Sequence, residues 1–485
     1  MKKNNVESKP KKSIQQNYLY NVIYQVVSLI TVFLTTPYIT RVLGANKIGI
    51  YSYTYSIVTY FILFGTMGIT LYGQREIAYC QDNKKERSKI FTELVYLKLI
   101  LLVISIVFFY VFFCINNEYS TFYKLLIFEL VGNGIDIMWL YQGLEDFKKV
   151  VIKNITIRLS CTALIFIFVK QQQHLWIYFL VTSLSVLLGN LSLWIGLKNY
   201  VYFENIKNIN IKKHIKPILI LFLPQVAVQI YTVLDKTMIG IITDNMTEVG
   251  LYQKTQEIVK MGMTIVTAFG TVIFPRIAYN YKKKYKNKIK ECIKDGFTFV
   301  WLIGLPLAVG LASASSRFIP WYLGNEFVSC INCLQMFSII LIVIGLNNVV
   351  GMQYLIATKN QSKFTIAVTI GAISNIIGNI FLIKVCGVYG AIISSIIAEI
   401  VITIIEFAMM KEVIKNSVNI KQLIKSCIGC LLMSTTIILL GNTLSSSVFT
   451  TIIQMTVGLF VYFITLIILR SEIVIDELNK ILTRK

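Results

Sequence analysis

The sequence predicts an all-α polytopic membrane protein of about fourteen transmembrane helices. It reads as two six-helix lobes related by pseudo-two-fold symmetry, plus two C-terminal helices, with both termini cytoplasmic. Three observations carry that prediction. The 485 residues are 55% hydrophobic and 15% charged, with a mean hydropathy of +0.67, whereas soluble domains carry about 25% charged residues. Apolar runs recur along the whole chain, each long enough for a bilayer core that takes about 20 helical residues. Lys and Arg fall in alternate connections between those runs, as in multi-pass proteins.

Residues 1–15 form a basic leader, MKKNNVESKPKKS and onward, and the apolar run behind it is too long for a signal peptide and lacks a small-residue cleavage site. It is read as an uncleaved first span. The first lobe, 16–199, holds spans near 16–40, 48–72, 91–115, 121–142, 150–169 and 174–197. Residues 200–214 form a cytoplasmic linker. The second lobe, 215–411, holds spans near 215–241, 248–274, 296–316, 330–357, 364–383 and 387–410, and 412–485 adds 422–441, 446–469 and a cytoplasmic tail. Pro37 and Gly44 read as punctuation of the first outer turn.

With the N-terminus inside, the inner segments and the helix ends bordering them hold 36 of the 47 Lys and Arg. The outer loops hold five: Arg41, Lys47, Lys170, Arg317 and Lys384. One missed span would scramble this alternation. The net charge of +23 is therefore a topology signal spread over short connections, not a nucleic-acid surface. The longest inner connection, 275–296, spaces Ile277, Tyr281, Tyr285, Ile289 and Ile293 four apart among lysines, a pattern suited to lying on an anionic leaflet.

The chain also repeats. GIYSYTYSIV (49–58) is echoed by GLYQKTQEIV (250–259), and 143–170 aligns without gaps on 357–384, at similar offsets of 201 and 214. A parallel duplication of six spans explains both. The first span of each lobe carries a polar stripe: Asn17, Asn21, Gln25 and Ser28 in one, Gln225, Gln229, Thr232 and Lys236 in the other. Amides in hydrocarbon need partners, so these stripes are expected to face a central cleft.

Charges within spans are costly, about 2.5–3.5 kcal/mol each on insertion scales. Lys98 and Arg158 lie near the inner face and can snorkel, as can Glu406, one turn from it. Asp136, Asp235 and Glu399 are deeper. Asp235 and Lys236 are adjacent beyond Pro224, so their side chains diverge by about 100° and cannot share one spot. A buried ion-pair network and a cargo cavity both fit them.

Nothing in the sequence suits an enzyme. Cys330–Cys333 and Cys427–Cys430 have CxxC spacing but no second pair or nearby His, and read as apolar helix residues. His174 and His214 read as loop residues. There is no nucleophile–base set, metal-ligand cluster or phosphate loop.

TPYITRVLGANKIGIYSY (36–53), followed by GITLYGQREIA (68–78), resembles the N-terminal signature of bacterial oligosaccharide and polysaccharide flippases of the multidrug/oligosaccharidyl-lipid/polysaccharide superfamily. The resemblance implies translocation of undecaprenyl-diphosphate-linked repeat units by alternating access, for capsule or other surface polysaccharide. It implies a cationic cavity, for which the cargo-binding candidates are Asn21, Gln25, Arg41, Lys98, Arg158, Gln225, Gln229, Lys236, Lys254 and Lys260. Asp136, Asp235 and Glu257 are the coupling-ion or gating candidates. No cofactor is implied, and coupling to a cation, a proton or the membrane potential stays open. The implied partners are the lipid-linked oligosaccharide, the bilayer, and a polysaccharide polymerase with other assembly proteins. The peptidoglycan-precursor branch would carry span-1 arginines where this chain has Asn17, Asn21 and Gln25. The alternatives are a flippase for another cell-wall precursor, peptidoglycan or teichoic in type, or a multidrug/cation antiporter.

Overall fold

The computed structural model describes residues 14–205, 209–411, 417–471 and 473–475, apart from some side chains near the start of the chain and around 223–231, Asn17, Asn21, Pro224 and Gln225 among them. All the regular secondary structure of the described residues is helical. In chain order the helices are α1 (Ile14–Thr66), α2 (Ile69–Tyr79), α3 (Lys84–Phe109), α4 (Ser120–Gly134), α5 (Met138–Gly143), α6 (Phe147–Phe168), α7 (Leu175–Ser192), α8 (Lys212–Thr243) and α9 (Met246–Lys282). They continue as α10 (Lys286–Phe299), α11 (Leu305–Tyr322), α12 (Cys330–Phe337), α13 (Ile340–Asn347), α14 (Gln361–Cys386), α15 (Val388–Met409), α16 (Ile420–Thr443) and α17 (Val448–Ile468). Starts follow capping chemistry: Asn83, Asn245, Asn419 and Ser447 each accept from a backbone N–H two or three residues on.

Eleven helical stretches among the described residues are long and apolar enough to cross a membrane. They reconcile with the fourteen expected spans. Ile23–Tyr79 is a single stretch covering two of them, the fourth span is interrupted between α4 and α5, and α8, 32 residues long, coincides with the seventh. Large apolar side chains stand bare along these stretches, Val385 at 80% and Phe449 at 78% exposure, as lipid-facing positions do. The chain is a multi-pass membrane protein.

Contacts group the chain into two compact units, one formed by the chain up to Val42 together with Ile57–Val226, the other by Leu43–Ser56 together with the chain from Ala227 onward. In the first, α2 and α5 pack on each other with Phe91 and Leu94 of α3, Trp139 and Tyr141 in their shared core, and α4 packs on α7. In the second, α14 packs on α15, and α16 and α17 pack on each other and on α11.

Several expectations need correction. Pro37 does not end the first span: it lies inside α1, and the break comes at Gly44, whose φ of 75° only glycine adopts readily. The helix continues beyond Pro37, and there the Thr40 hydroxyl and the Arg41 guanidinium donate to the carbonyls of Thr36 and Pro37. The basic stretch 275–296 is not one amphipathic helix. The chain turns at Lys283–Tyr285, with Lys284 at φ 60°, and Ile277, Ile289 and Ile293 pack into a protein core with Phe297. Only Tyr281 and Tyr285 of that stripe are exposed.

His214 is no loop residue. It lies in the first turn of α8, buried, between Tyr72 Oη at 2.8 Å from Nδ1 and Glu93 Oε2 at 2.8 Å from Nε2. A carboxylate only accepts, so Nε2 carries the proton and Nδ1 accepts from the tyrosine. Glu93 also takes Lys213 Nζ at 2.8 Å and the Asn210 backbone N–H at 2.9 Å. Arg87 and Ser88 of the same helix bind Tyr200 O and Tyr202 N. These residues of the 200–214 linker are thus held along the N-terminal part of α3. Cys330, Cys333 and Cys430 are buried and Cys427 exposed, and all are free thiols.

Candidate functional site

The side chains of Asp235 and Lys236 in α8 part company, as adjacent helical residues must. Asp235 is 2% exposed. Its Oδ2 accepts from the Tyr252 hydroxyl of α9 and from Ser395 Oγ of α15 at 2.7 Å, and its Oδ1 accepts from Asn379 Nδ2 of α14 at 2.6 Å. Four helices meet at one carboxylate, and neutral donors stabilise its charge. The pocket is rich in oxygen. Asn375 Oδ1 lies 3.3 Å from Asn379 Nδ2, and Asn379 Oδ1 is buried with no donor among the described residues. One carboxylate with neutral amide and hydroxyl oxygens is the donor set of a hard cation. No group of three or more His, Cys, Asp or Glu that could hold a metal occurs among the described residues.

Lys236 lies within electrostatic reach of Lys260, Glu257, Asp235 and Lys254. Lys254, Glu257 and Lys260 follow one another at three-residue spacing on α9, so they share a face. Glu257 is already committed: Lys254 Nζ sits 2.7 Å from Oε2 and Gln253 Nε2 2.6 Å from Oε1. That leaves Lys236, half-buried, and Lys260, exposed, as neighbouring cations without an ion pair among the described residues. Two like charges in a low-dielectric region repel. An anionic group joining them would relieve that repulsion.

The first unit treats its candidates differently. Lys98 does not snorkel: it is 2% exposed and Nζ donates to the backbone oxygen of Asp136 at 2.7 Å. Asp136 marks the interruption of the fourth span, and its Oδ1 accepts from Met138 N, which starts α5. Backbone carbonyls around this break are satisfied by side chains: Gly132 O by Asn190, Ile135 O by Trp194, Asp136 O by Lys98. A broken helix in a membrane needs such partners, and Lys98 and Asp136 serve the break in this way. Arg158 is half-buried on α6 and Arg41 is exposed, its Nη1 2.8 Å from Pro37 O. Gln25 and Gln229 are exposed on α1 and α8. The side chains of Asn21 and Gln225 lie outside the described residues.

The two copies of the echoed motif meet within the second unit. A Cβ on Gly49 would fall 1.6 Å from Met246 O, and one on Gly250 2.1 Å from Ala45 O. Backbones this close tolerate only glycine. Ser56 and Thr237 hydroxyls bond at 2.7 Å, and Glu326 Oε2 accepts from Ala45 N at 3.0 Å where α1 restarts after Gly44. An apolar cavity of about 240 Å³ also lies in this unit, lined by Leu302, Pro306, Gly310, Phe318, Met433 and Phe463 of α11, α16, α17 and the turn before α11.

Sequence reasoning missed Tyr252, Asn375, Asn379 and Ser395. The amides were detectable, since Asn375 and Asn379 are four apart in an otherwise apolar span, as in the polar stripes of the first spans. Tyr252 sits inside the echo itself.

A family model described as polysaccharide biosynthesis protein matches residues 14–280, and one described as lipid II flippase MurJ matches 150–462. A "Putative O-antigen transporter" of Escherichia coli (strain K12) is 25% identical over 363 residues, 73% of this chain and 86% of the relative. Its namesake in Shigella dysenteriae is 24% identical over 386 residues, 78% of this chain and 95% of the relative. Among solved structures, a lipid II flippase MurJ in an inward closed conformation is similar at a TM-score of 0.74 and 19% identity, covering 95% of this chain and 100% of that one. An inward-facing multidrug resistance MATE transporter is similar at 0.62 and 14%, covering 83% and 96%. Both structural likenesses are of fold.

Proposed function

The chain belongs to the polysaccharide biosynthesis protein family, and on that premise we propose that it is a flippase for polyprenyl-diphosphate-linked oligosaccharide repeat units, working by alternating access. Family membership carries this reading, together with O-antigen transporter relatives that align over most of their length. It is a transporter, not an enzyme. The charge distribution along the sequence puts both termini on the cytoplasmic side in this reading, with the six-helix lobes at 16–199 and 215–411.

The finer assignments belong to the same proposal. A diphosphate cannot enter hydrocarbon unaided, and Lys236 and Lys260 are the cations that receive it, with Lys254 held by Glu257 beside them. Two loosely held lysines suit a cargo that must also leave. The Asp235 pocket takes the coupling cation or acts as a gate. The apolar cavity beside α16 and α17 suits a stretch of the isoprenoid tail. The product on the outer side is a lipid-linked repeat unit, so the implied partner is a polymerase of surface polysaccharide, capsule or O-antigen in type.

One experiment tests the class and the cargo together. Cells lacking the protein are expected to accumulate an undecaprenyl-diphosphate oligosaccharide on the inner leaflet and to lose surface polysaccharide. Accumulation of a peptidoglycan precursor would favour the second reading, which the MurJ family match over 150–462 supports. Drug sensitivity with normal surface polysaccharide would overturn both.

A further inference from the structure

Helix α15 buries another carboxyl group in the second unit. The sequence places Glu406 one turn from the inner face, where it could snorkel, but the side chain is 0% exposed and neither oxygen has a hydrogen-bond partner among the described residues. Its surroundings are apolar and tight. Gly351 comes so close that a Cβ there would lie 2.4 Å from Glu406 Oε1, and Phe364 of α14 crowds the same glycine. The adjacent Phe407 packs edge-on to Phe297 of α10, with ring centroids 5.7 Å apart.

Gly351 belongs to Asn348–Ile356, which is wound as a π-helix. Such turns are rare, and they concentrate where a helix must rearrange or bind. One face of α15 continues the polar character inward along the span. Glu399, seven residues before Glu406 and on the same face, accepts at Oε2 from Asn347 Nδ2 at 2.5 Å, and Thr403 between the two acids donates to Asn347 Oδ1.

The ionisable groups around Glu406 do not neutralise it. Glu399 is the charge within its electrostatic reach. The 348–356 segment offers only Tyr354, while Lys359, Lys363 and Lys411 are exposed, as are Lys294 and Asp295 of α10. An ionised carboxylate with no donor in apolar packing is so unfavourable that the group takes up a proton instead.

We propose that Glu406 is a proton-carrying site: it holds H⁺ as a neutral carboxylic acid while α15 is seated against 348–356, and gives it up when these elements part and water enters. In that step one O–H bond breaks, the electron pair stays on the carboxylate and the proton passes to water. Nothing is oxidised or reduced. Cargo movement is thereby linked to proton transfer at a place separate from the Asp235 pocket, whose carboxylate has three donors. The link to cargo rests on the flippase reading; the proton site itself does not.

The test uses the full chain reconstituted in lipid vesicles. Infrared difference spectra between neutral and alkaline pH are expected to show the C=O stretch of a protonated carboxyl group. That band should vanish in Glu406→Gln and shift, rather than vanish, in Glu406→Asp, which keeps the proton should the amide variant fold poorly. A pH gradient across the vesicle should change the flipping rate of a polyprenyl-diphosphate probe about ten-fold in the native protein and hardly at all in Glu406→Gln. A missing band, a band untouched by either substitution, or equal gradient dependence in native and Glu406→Gln protein overturns the proposal. A band that behaves as expected in a protein that flips no probe at any pH supports the proton site and sinks the flippase reading instead.

Discussion

Asp235 and Glu406 are both acids buried in the same unit, and the fold treats them in opposite ways. Asp235 has Tyr252, Ser395 and Asn379 donating to it, whereas Glu406 has no donor among the described residues and a glycine pressed against one oxygen. Depth in the membrane does not decide the charge of an acid. The donors aimed at it do. The first arrangement surrounds a carboxylate with donors, the second leaves one with none until the site opens.

Replacement by leucine separates the two most sharply. Asp235→Leu strands three buried donors and is expected to cost roughly 3 kcal/mol or more. Glu406→Leu removes a group with nothing to lose and is expected to be neutral or stabilising. Thermal unfolding in detergent reads both, and equal losses would mean that Glu406 has a donor in the native protein. Asp235→Asn, which keeps the shape and removes the charge, and Lys236→Ala are expected to stop surface polysaccharide export with normal protein levels in the membrane. Normal export by both would remove the second unit's charge cluster from the mechanism.

The Gly49–Gly250 contact sharpens the comparison from another side, since it tests packing without charge. Gly49→Ala must move backbone to clear Met246 O, at a cost of about 1–3 kcal/mol. Gly310→Ala meets only Met433 Cε at 3.6 Å and should change the melting temperature little. Equal effects would mean that the echoed glycines do not touch as described.

The helices were legible because bilayer thickness and the alternation of basic connections constrain every span separately. Asp235 and Lys236 were legible for the same reason: a charge in an apolar run stands out. Their neighbours were harder to find, because the partners of Asp235 come from α9, α14 and α15, more than a hundred residues apart at the extremes, and no local pattern reports such convergence. Glu406 shows the limit most plainly. Its distance from the span end suggested an easy exit to water, yet the side chain is fully buried beside Gly351. Lys98 failed likewise, since the carbonyl it serves exists only because the fourth span is broken at Asp136. His214 could not be seen at all, a lone histidine at a predicted helix boundary having no signature.

That histidine supplies the smallest expected effect and the contrast outside the membrane. Burial, the dominant influence, pulls the His214 imidazole below its ordinary value of 6.5, partly offset by Glu93. A base whose folded value is depressed favours the folded state while neutral. Its contribution is therefore complete above about pH 6.5 and is lost as pH falls through the lowered value, because the unfolded chain binds the proton first. The loss amounts to about 1.4 kcal/mol for each unit of lowering. Unfolding followed from neutral to mildly acidic pH should show this decline in the native protein. His214→Phe, which cannot take up the proton, should remove the decline while lowering stability at neutral pH by about 1 kcal/mol through the lost Tyr72 and Glu93 bonds. A decline that survives the substitution would assign the acid sensitivity to the carboxylates, and would leave the hold on the linker near α3 to Lys213, Arg87 and Ser88.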